Sequence, residues 1–132
     1  MSLSMDMYET PYFKIKKENL PAALTAVKVF AQAKHPDNCE EVLSSSSLIE
    51  AMRCFAFELY ENHSGDIDGI EFTDCKSREE NELFYNLEAY IEDGSQLTFS
   101  VNGEYEKAFI FDGGKMTVTT EIIDDEEDES DE

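Results

Sequence analysis

A chain of 132 residues with 41% hydrophobic content, nine Phe and six Tyr has material for one core and little room for a second domain. At this length folding removes roughly two-thirds of the unfolded surface from water, so neither a disulfide nor a metal is required for stability. The net charge of −21, from 31 acidic and 10 basic residues, argues against direct binding to nucleic acid or an anionic membrane and favours basic partners.

The charge is unevenly spread. Residues 1–38 carry Lys14, Lys16, Lys17, Lys28 and Lys34 against Asp6, Glu9, Glu18 and Asp37, whereas residues 39–123 hold nineteen acidic and five basic side chains. The run DDEEDESDE at 124–132 adds eight carboxylates, too polar to offset its own ordering entropy, and is expected to be a disordered tail. The opening Met1-Ser2-Leu3-Ser4, followed closely by Met5 and Met7, reads as a leader, so residues 1–10 are placed outside an expected single domain at 11–123. No basic and apolar signal segment is present, and no apolar run is long enough to span a bilayer. Cys39, Cys54 and Cys75 are odd in number and widely spaced, which fits reduced thiols in a cytoplasmic setting.

In chain order, Tyr12-Phe13-Lys14-Ile15-Lys16 alternates and predicts a half-buried strand. Pro21 suits the first turn of a helix over Leu20–Ala33, with Leu20, Leu24, Val27 and Ala31 on its apolar stripe, and His35-Pro36 ends it. A polar loop runs through Ser44–Ser47. Ser47 and Glu50 form a capping-box pattern opening a short second helix. Phe55, Phe57 and Leu59 then alternate as a strand. Asn62–Asp66 turns the chain, and Ile70 and Phe72 return it, with Gly69 at a bulge. Ser77-Arg78-Glu79-Glu80 repeats the capping pattern before a helix whose inner face is Leu83, Phe84, Leu87, Tyr90 and Ile91. Leu97, Phe99 and Val101 precede Asn102-Gly103, a strong hairpin signal. Tyr105, Phe109 and Phe111 return, Asp112-Gly113-Gly114 turns, and Met116, Val118, Thr120 and Ile122 finish a meander. The expected fold is α+β in the order β-α-α-β-β-α-β-β-β, a single mostly antiparallel sheet with helices packed on one face.

From residue 47 to about 116 the chain resembles a family of small, uncharacterised bacterial and phage α+β domains. The matching pieces are Leu48-Ile49-Glu50-Ala51, Gly65-Asp66-Ile67, Gly69-Ile70-Glu71-Phe72, Glu92-Asp93-Gly94-Ser95 and the turn region Phe109–Gly113. Members of that family carry a tryptophan-bearing strand where this chain has Lys107-Ala108-Phe109. The resemblance implies the fold class and a bacterial or phage origin, and it implies no activity.

Catalytic and cofactor chemistry finds little footing. Ser64-Gly65-Asp66-Ile67-Asp68-Gly69 resembles the start of a calcium loop, but Cys75 stands where a bidentate Glu is needed and strands flank it. His35 and His63 sit in loops, and Pro36 keeps His35 and Cys39 off a common helical face. Cys54 reads as a core residue, and Cys75 lies among carboxylates that oppose thiolate formation. No glycine-rich strand-to-helix loop offers a phosphate cradle. The expectation is a protein without enzymatic activity, cofactor or metal.

What remains is the outer face of the sheet. If Phe57, Phe72, Phe99, Phe109 and Val118 face the helices, parity turns Glu58, Tyr60, Glu71, Ser100, Glu106, Ile110, Thr117, Thr119 and Glu121 outward. Such a face is either plain solvated surface or an acidic recognition surface with Tyr60 and Ile110 as apolar anchors for a basic protein. The second reading makes Glu58, Tyr60, Glu71, Glu106, Ile110 and Glu121 the candidate protein-binding residues. The first leaves a structural or accessory protein whose acidity serves solubility.

Overall fold

Period-two alternation builds the main sheet. In the computed structural model, which describes residues 4–10, 12–74 and 79–123, strands β4 (Gln96–Val101), β5 (Tyr105–Asp112) and β6 (Lys115–Ile122) form an antiparallel meander. Leu97, Phe99, Val101, Phe109, Phe111 and Met116 lie on one side and are buried. Asn102 and Gly103 take φ of 57° and 67°, and Glu104 N–H donates to Val101 O at 3.0 Å. That is the left-handed pair a type I′ turn requires. The meander is as the alternation predicted.

The sheet has a fourth strand at its other edge. β1 (Met5–Met7) pairs antiparallel with β4, Met5 opposite Val101, and Met5 is fully buried. The reading of residues 1–10 as a leader outside the fold is therefore corrected for this stretch. Met5 is a core residue, Met7 packs partly buried against the core, and Asn102 Oδ1 accepts from Ser4 N–H at 2.9 Å to hold the strand end. Residues 12–16 differ as well. Phe13 and Ile15 are buried and Tyr12 is exposed, as the alternation requires, but the segment makes only single bridges, Tyr12 with Gln96 and Ile15 with Ile67. It crosses from one sheet to another, so it alternates in burial without forming a ladder.

The expected single sheet is also divided. β2 (Phe57–Glu61) and β3 (Ile67–Phe72) form a separate two-stranded sheet instead of joining the other four. Ile15 and Ile67 exchange backbone hydrogen bonds at 2.9 Å in both directions, which engages the free edge of β3 at its first residue. The expected bulge is present: Tyr60 opposes Gly69 and Glu61 opposes Ile67, leaving Asp68 as the extra residue.

The helices sit where expected, but not every stripe and cap holds. Leu20 and Leu24 are only partly buried while Ala23 and Phe30 are buried, and the last helix starts after Glu79 with no side-chain cap. α1 (Leu20–Lys34) buries Ala23, Val27, Phe30 and Ala31. A one-turn helix, α2 (Glu40–Leu43), stands just before the expected polar loop and buries Val42. α3 (Leu48–Arg53) starts at Ser47, whose Oγ accepts from Glu50 N–H at 3.2 Å. The Glu50 carboxylate accepts from Ser46 N–H, one residue earlier than the reciprocal capping pattern. The chain then turns through Ala56, at φ 69°, so the strand begins at Phe57 and not Phe55. α4 (Glu80–Leu87) buries Leu83, Phe84 and Leu87 and runs into a tighter turn over residues 88–90. Ser77 and Arg78 of its expected cap, and the tail 124–132, lie outside the described residues.

One core joins both sheets and the helices. Phe57 sits 5.0 Å from Phe72 and 5.1 Å from Phe84, while Phe84 lies 5.6 Å and Phe99 5.3 Å from Phe109. These spacings suit tilted and edge-on aromatic contacts. Lys107 also points inward from β5. Its Nζ meets Glu80 Oε2 at 2.6 Å and Asn81 Oδ1 at 2.8 Å, and stands 5.5 Å from the Phe109 ring centroid. Both members of this ion pair are buried, and it pins the first turn of α4 to the sheet.

β6 is the far edge. The ladder phase set by its hairpin turn directs the backbone of Met116, Val118, Thr120 and Ile122 away from β5. Met116 N–H donates to Glu88 Oε1 at 2.7 Å. Val118, Thr120 and Ile122 have no such partner among the described residues, and Ile122 is 78% exposed. Among the described residues no helix is long and apolar enough to cross a membrane.

Candidate protein-binding surface

The six expected surface residues all point away from the core, but they do not form one face. Glu58, Tyr60 and Glu71 belong to the β2–β3 hairpin, whereas Glu106, Ile110 and Glu121 lie on the open side of the four-stranded sheet. A continuous acidic plane across both is thus corrected to two separate regions. Parity gave each residue its direction, and the pairing of strands divided them.

On the hairpin, Glu58 stands directly opposite Glu71. Like charges in that position repel, and each is relieved locally. Arg53 donates from Nε and Nη2 to the two Glu58 oxygens, each at 2.9 Å. This hydrogen bonding, and then the guanidinium charge, holds the Glu58 carboxyl below the usual carboxylate range. Glu71 accepts from the Tyr60 hydroxyl at 2.6 Å, a bond that pushes the phenol pKa up. The Tyr60 ring lies across Gly69, where a Cβ would come within 3.3 Å of Tyr60 Cβ, so this residue beside the bulge is small for a packing reason.

This hairpin face forms one wall of a groove. The crossing segment supplies the other wall, enclosing a cavity of about 720 Å³ lined by Tyr8, Glu9, Tyr12, Tyr60, Asp68 and Glu71 among others. The three tyrosines are each more than 40% exposed. Alternation alone predicts Tyr60, Glu71 and the outward direction of Tyr12. Tyr8 was missed because its stretch was assigned to a leader.

On the open sheet face, Glu106 stands directly opposite Glu121. Neither has an ion-pair or hydrogen-bond partner among the described residues. Ile110, 37% exposed, and Thr117 are cross-strand neighbours on the same face. The neighbouring outward residues Ser100, Thr117 and Thr119 are small hydroxyls, so the charge here is concentrated at one end.

The residues weighed for chemistry have structural engagements. Asp66 accepts from Lys17 N–H at 2.8 Å and lies 3.6 Å from Lys14 Nζ, while Asp68 accepts from Asn62 Nδ2 at 3.2 Å. Among the described residues no three His, Cys, Asp or Glu side chains gather as a metal site would need. His35 Nε2 lies 2.7 Å from Glu79 Oε1, and the two share a cavity with Cys54. The Cys54 thiol, however, is directed at Glu50 O, and burial followed by the Glu41 charge raises its pKa. A nucleophile in such a group would need the opposite shift. Cys75 lies outside the described residues.

No family model matches this chain, and no curated protein or solved structure gives a match either. The resemblance over residues 47–116 rests on its turn and core residues alone.

Proposed function

We propose that this chain is a non-catalytic, acidic protein-binding module that captures a basic protein. The observation that carries the reading is the Glu106–Glu121 pair. Two carboxylates directly opposed across a ladder, with no cation paired to them among the described residues, weaken the sheet that holds them. A cationic partner would relieve that repulsion on binding, and the net charge of −21 would steer it in. Two forms of the role fit the charge: an immunity-type inhibitor of a cationic toxin, and a DNA mimic that occupies a nucleic-acid-binding protein. Both accord with the bacterial or phage origin that the resemblance implies, and the reduced thiols suit a cytoplasmic site of action.

The test is association kinetics with the captured protein at low and high salt, on wild type and the Glu106→Lys/Glu121→Lys variant. Raised salt and the double substitution should each slow association more than they speed dissociation, since the Debye length is already only about 10 Å at 0.1 M salt. Binding indifferent to both would remove this reading.

A second reading is favoured by the backbone of Val118, Thr120 and Ile122, which points outward with no partner among the described residues. An exposed strand edge invites pairing with another chain, and like charge prevents it. On that reading the protein is a structural or accessory component whose acidity serves solubility. Neutralising the charge should then cause self-association while leaving no partner to lose.

A further inference from the structure

We infer that the groove between residues 7–10 and 12–14 on one side and the β2–β3 hairpin on the other is a socket for an arginine side chain of the basic partner. This rests on the protein-capture reading and gives it an anchor point away from the Glu106–Glu121 pair. The walls combine two kinds of surface. Tyr8, Tyr12 and Tyr60 offer half-exposed rings, and Glu9, Asp68 and Glu71 offer carboxylates. Aromatic faces and carboxylates together suit a large, weakly hydrated cation that stacks and donates at once.

Other ligand classes fit less well. An anion would meet three carboxylates. A purely apolar group would strip water from those carboxylates without replacing it. A small metal ion would need ligands converging at one point, and no such gathering exists among the described residues. The lining cation, Lys14, is directed to Asp66 at 3.6 Å and leaves the acidic character of the groove in place.

Two carboxylates are already oriented. Glu71 is held by the Tyr60 hydroxyl at 2.6 Å and Asp68 by the Asn62 amide at 3.2 Å. A carboxylate accepts at about four sites, so each retains capacity for guanidinium N–H groups.

The test uses the full chain and the blocked tripeptide amide Ac-Gly-Arg-Gly-NH2, followed by amide and tyrosine-ring chemical shifts. Saturable shifts should gather at Tyr8, Tyr12, Tyr60, Gly69 and Glu71. The same tripeptide with norleucine for arginine should give none. Removing two rings in Tyr12→Leu/Tyr60→Leu should weaken binding about fivefold to tenfold. Should that variant fail to fold, Glu71→Gln, which keeps an acceptor for Tyr60, carries the same test. The Glu106→Lys/Glu121→Lys variant should bind the peptide with its groove shifts unchanged, so failure of the sheet-face reading is seen separately. Shifts spread over the acidic surface without saturation, or binding indifferent to Tyr12, Tyr60 and Glu71, would overturn the socket.

Discussion

Two pairs of glutamates face each other across strands in this protein, and the chain treats them differently. Glu58 and Glu71 on the β2–β3 hairpin each have a donor, Arg53 for one and the Tyr60 hydroxyl for the other. Glu106 and Glu121 on the four-stranded sheet have none among the described residues. The backbone geometry of the two pairs is the same, so the difference lies in the neighbouring side chains. Proximity of carboxylates therefore says little about a site. Whether their repulsion is answered within the fold says more.

Carrying the comparison into the core gives the largest expected effect. Glu80 is the buried counterpart, answered by Lys107 at 2.6 Å. Lys107→Met keeps the apolar stem but removes the ammonium, and unfolding in urea should show a loss of about 3 kcal/mol, as for other broken buried ion pairs. A loss under about 1 kcal/mol would mean that burial does not set the scale of compensation here. The sign should reverse on the open sheet face. Glu106→Gln removes one of two uncompensated charges and should raise stability by about 0.2–1 kcal/mol at low salt. Most of that gain should vanish near 1 M salt, where the Debye length is about 3 Å. Glu58→Gln, by contrast, removes the negative charge that answers the Arg53 guanidinium and should not stabilise. Equal gains from both substitutions would break the comparison.

The smallest effect is a pH dependence. The Glu58 carboxyl is held below its ordinary range by Arg53, so in the fold it loses its proton more readily than in the unfolded chain. The stability it contributes is full above the ordinary carboxylate pKa and is lost as pH falls through the lowered value. Wild type and Arg53→Ala should therefore differ slightly at neutral pH and converge in acid. A difference that grows on acidification would contradict the assignment.

Local signals were legible wherever they acted over a few residues. Asn102-Gly103 requires left-handed backbone, Ser47 offers an oxygen to the first turn of α3, and Leu97, Phe99 and Val101 choose one side of a sheet. Contacts set by distant partners were not legible. Met5–Met7 is too short to display a period, and only its pairing with the distant Phe99, Ser100 and Val101 makes it a strand. Alternation over Tyr12–Lys16 gave the burial correctly but could not say that its bridges go to two different sheets. The same limit governs the site. Parity could orient Tyr60 and Glu71, while the groove exists because residues 7–10 and 12–14 cross in front of them. Lys107 was hidden for a related reason, since its partner lies 27 residues away on another element.

Asn102 has a second engagement besides its turn. Its side-chain oxygen accepts from Ser4 N–H at 2.9 Å, and its own N–H donates to Ser4 O at 2.8 Å, closing a sequence separation of 98 residues. The hairpin around it needs only neighbours, whereas β1 needs a docking edge already in place. Order in time should follow order in loop length, with the β4–β6 meander assembling early and β1 arriving last. The element that arrives last is commonly the first to open. Amide hydrogens of Met5–Met7 should then exchange with solvent ahead of those in β5, making the beginning of the chain a detachable latch on an otherwise finished sheet.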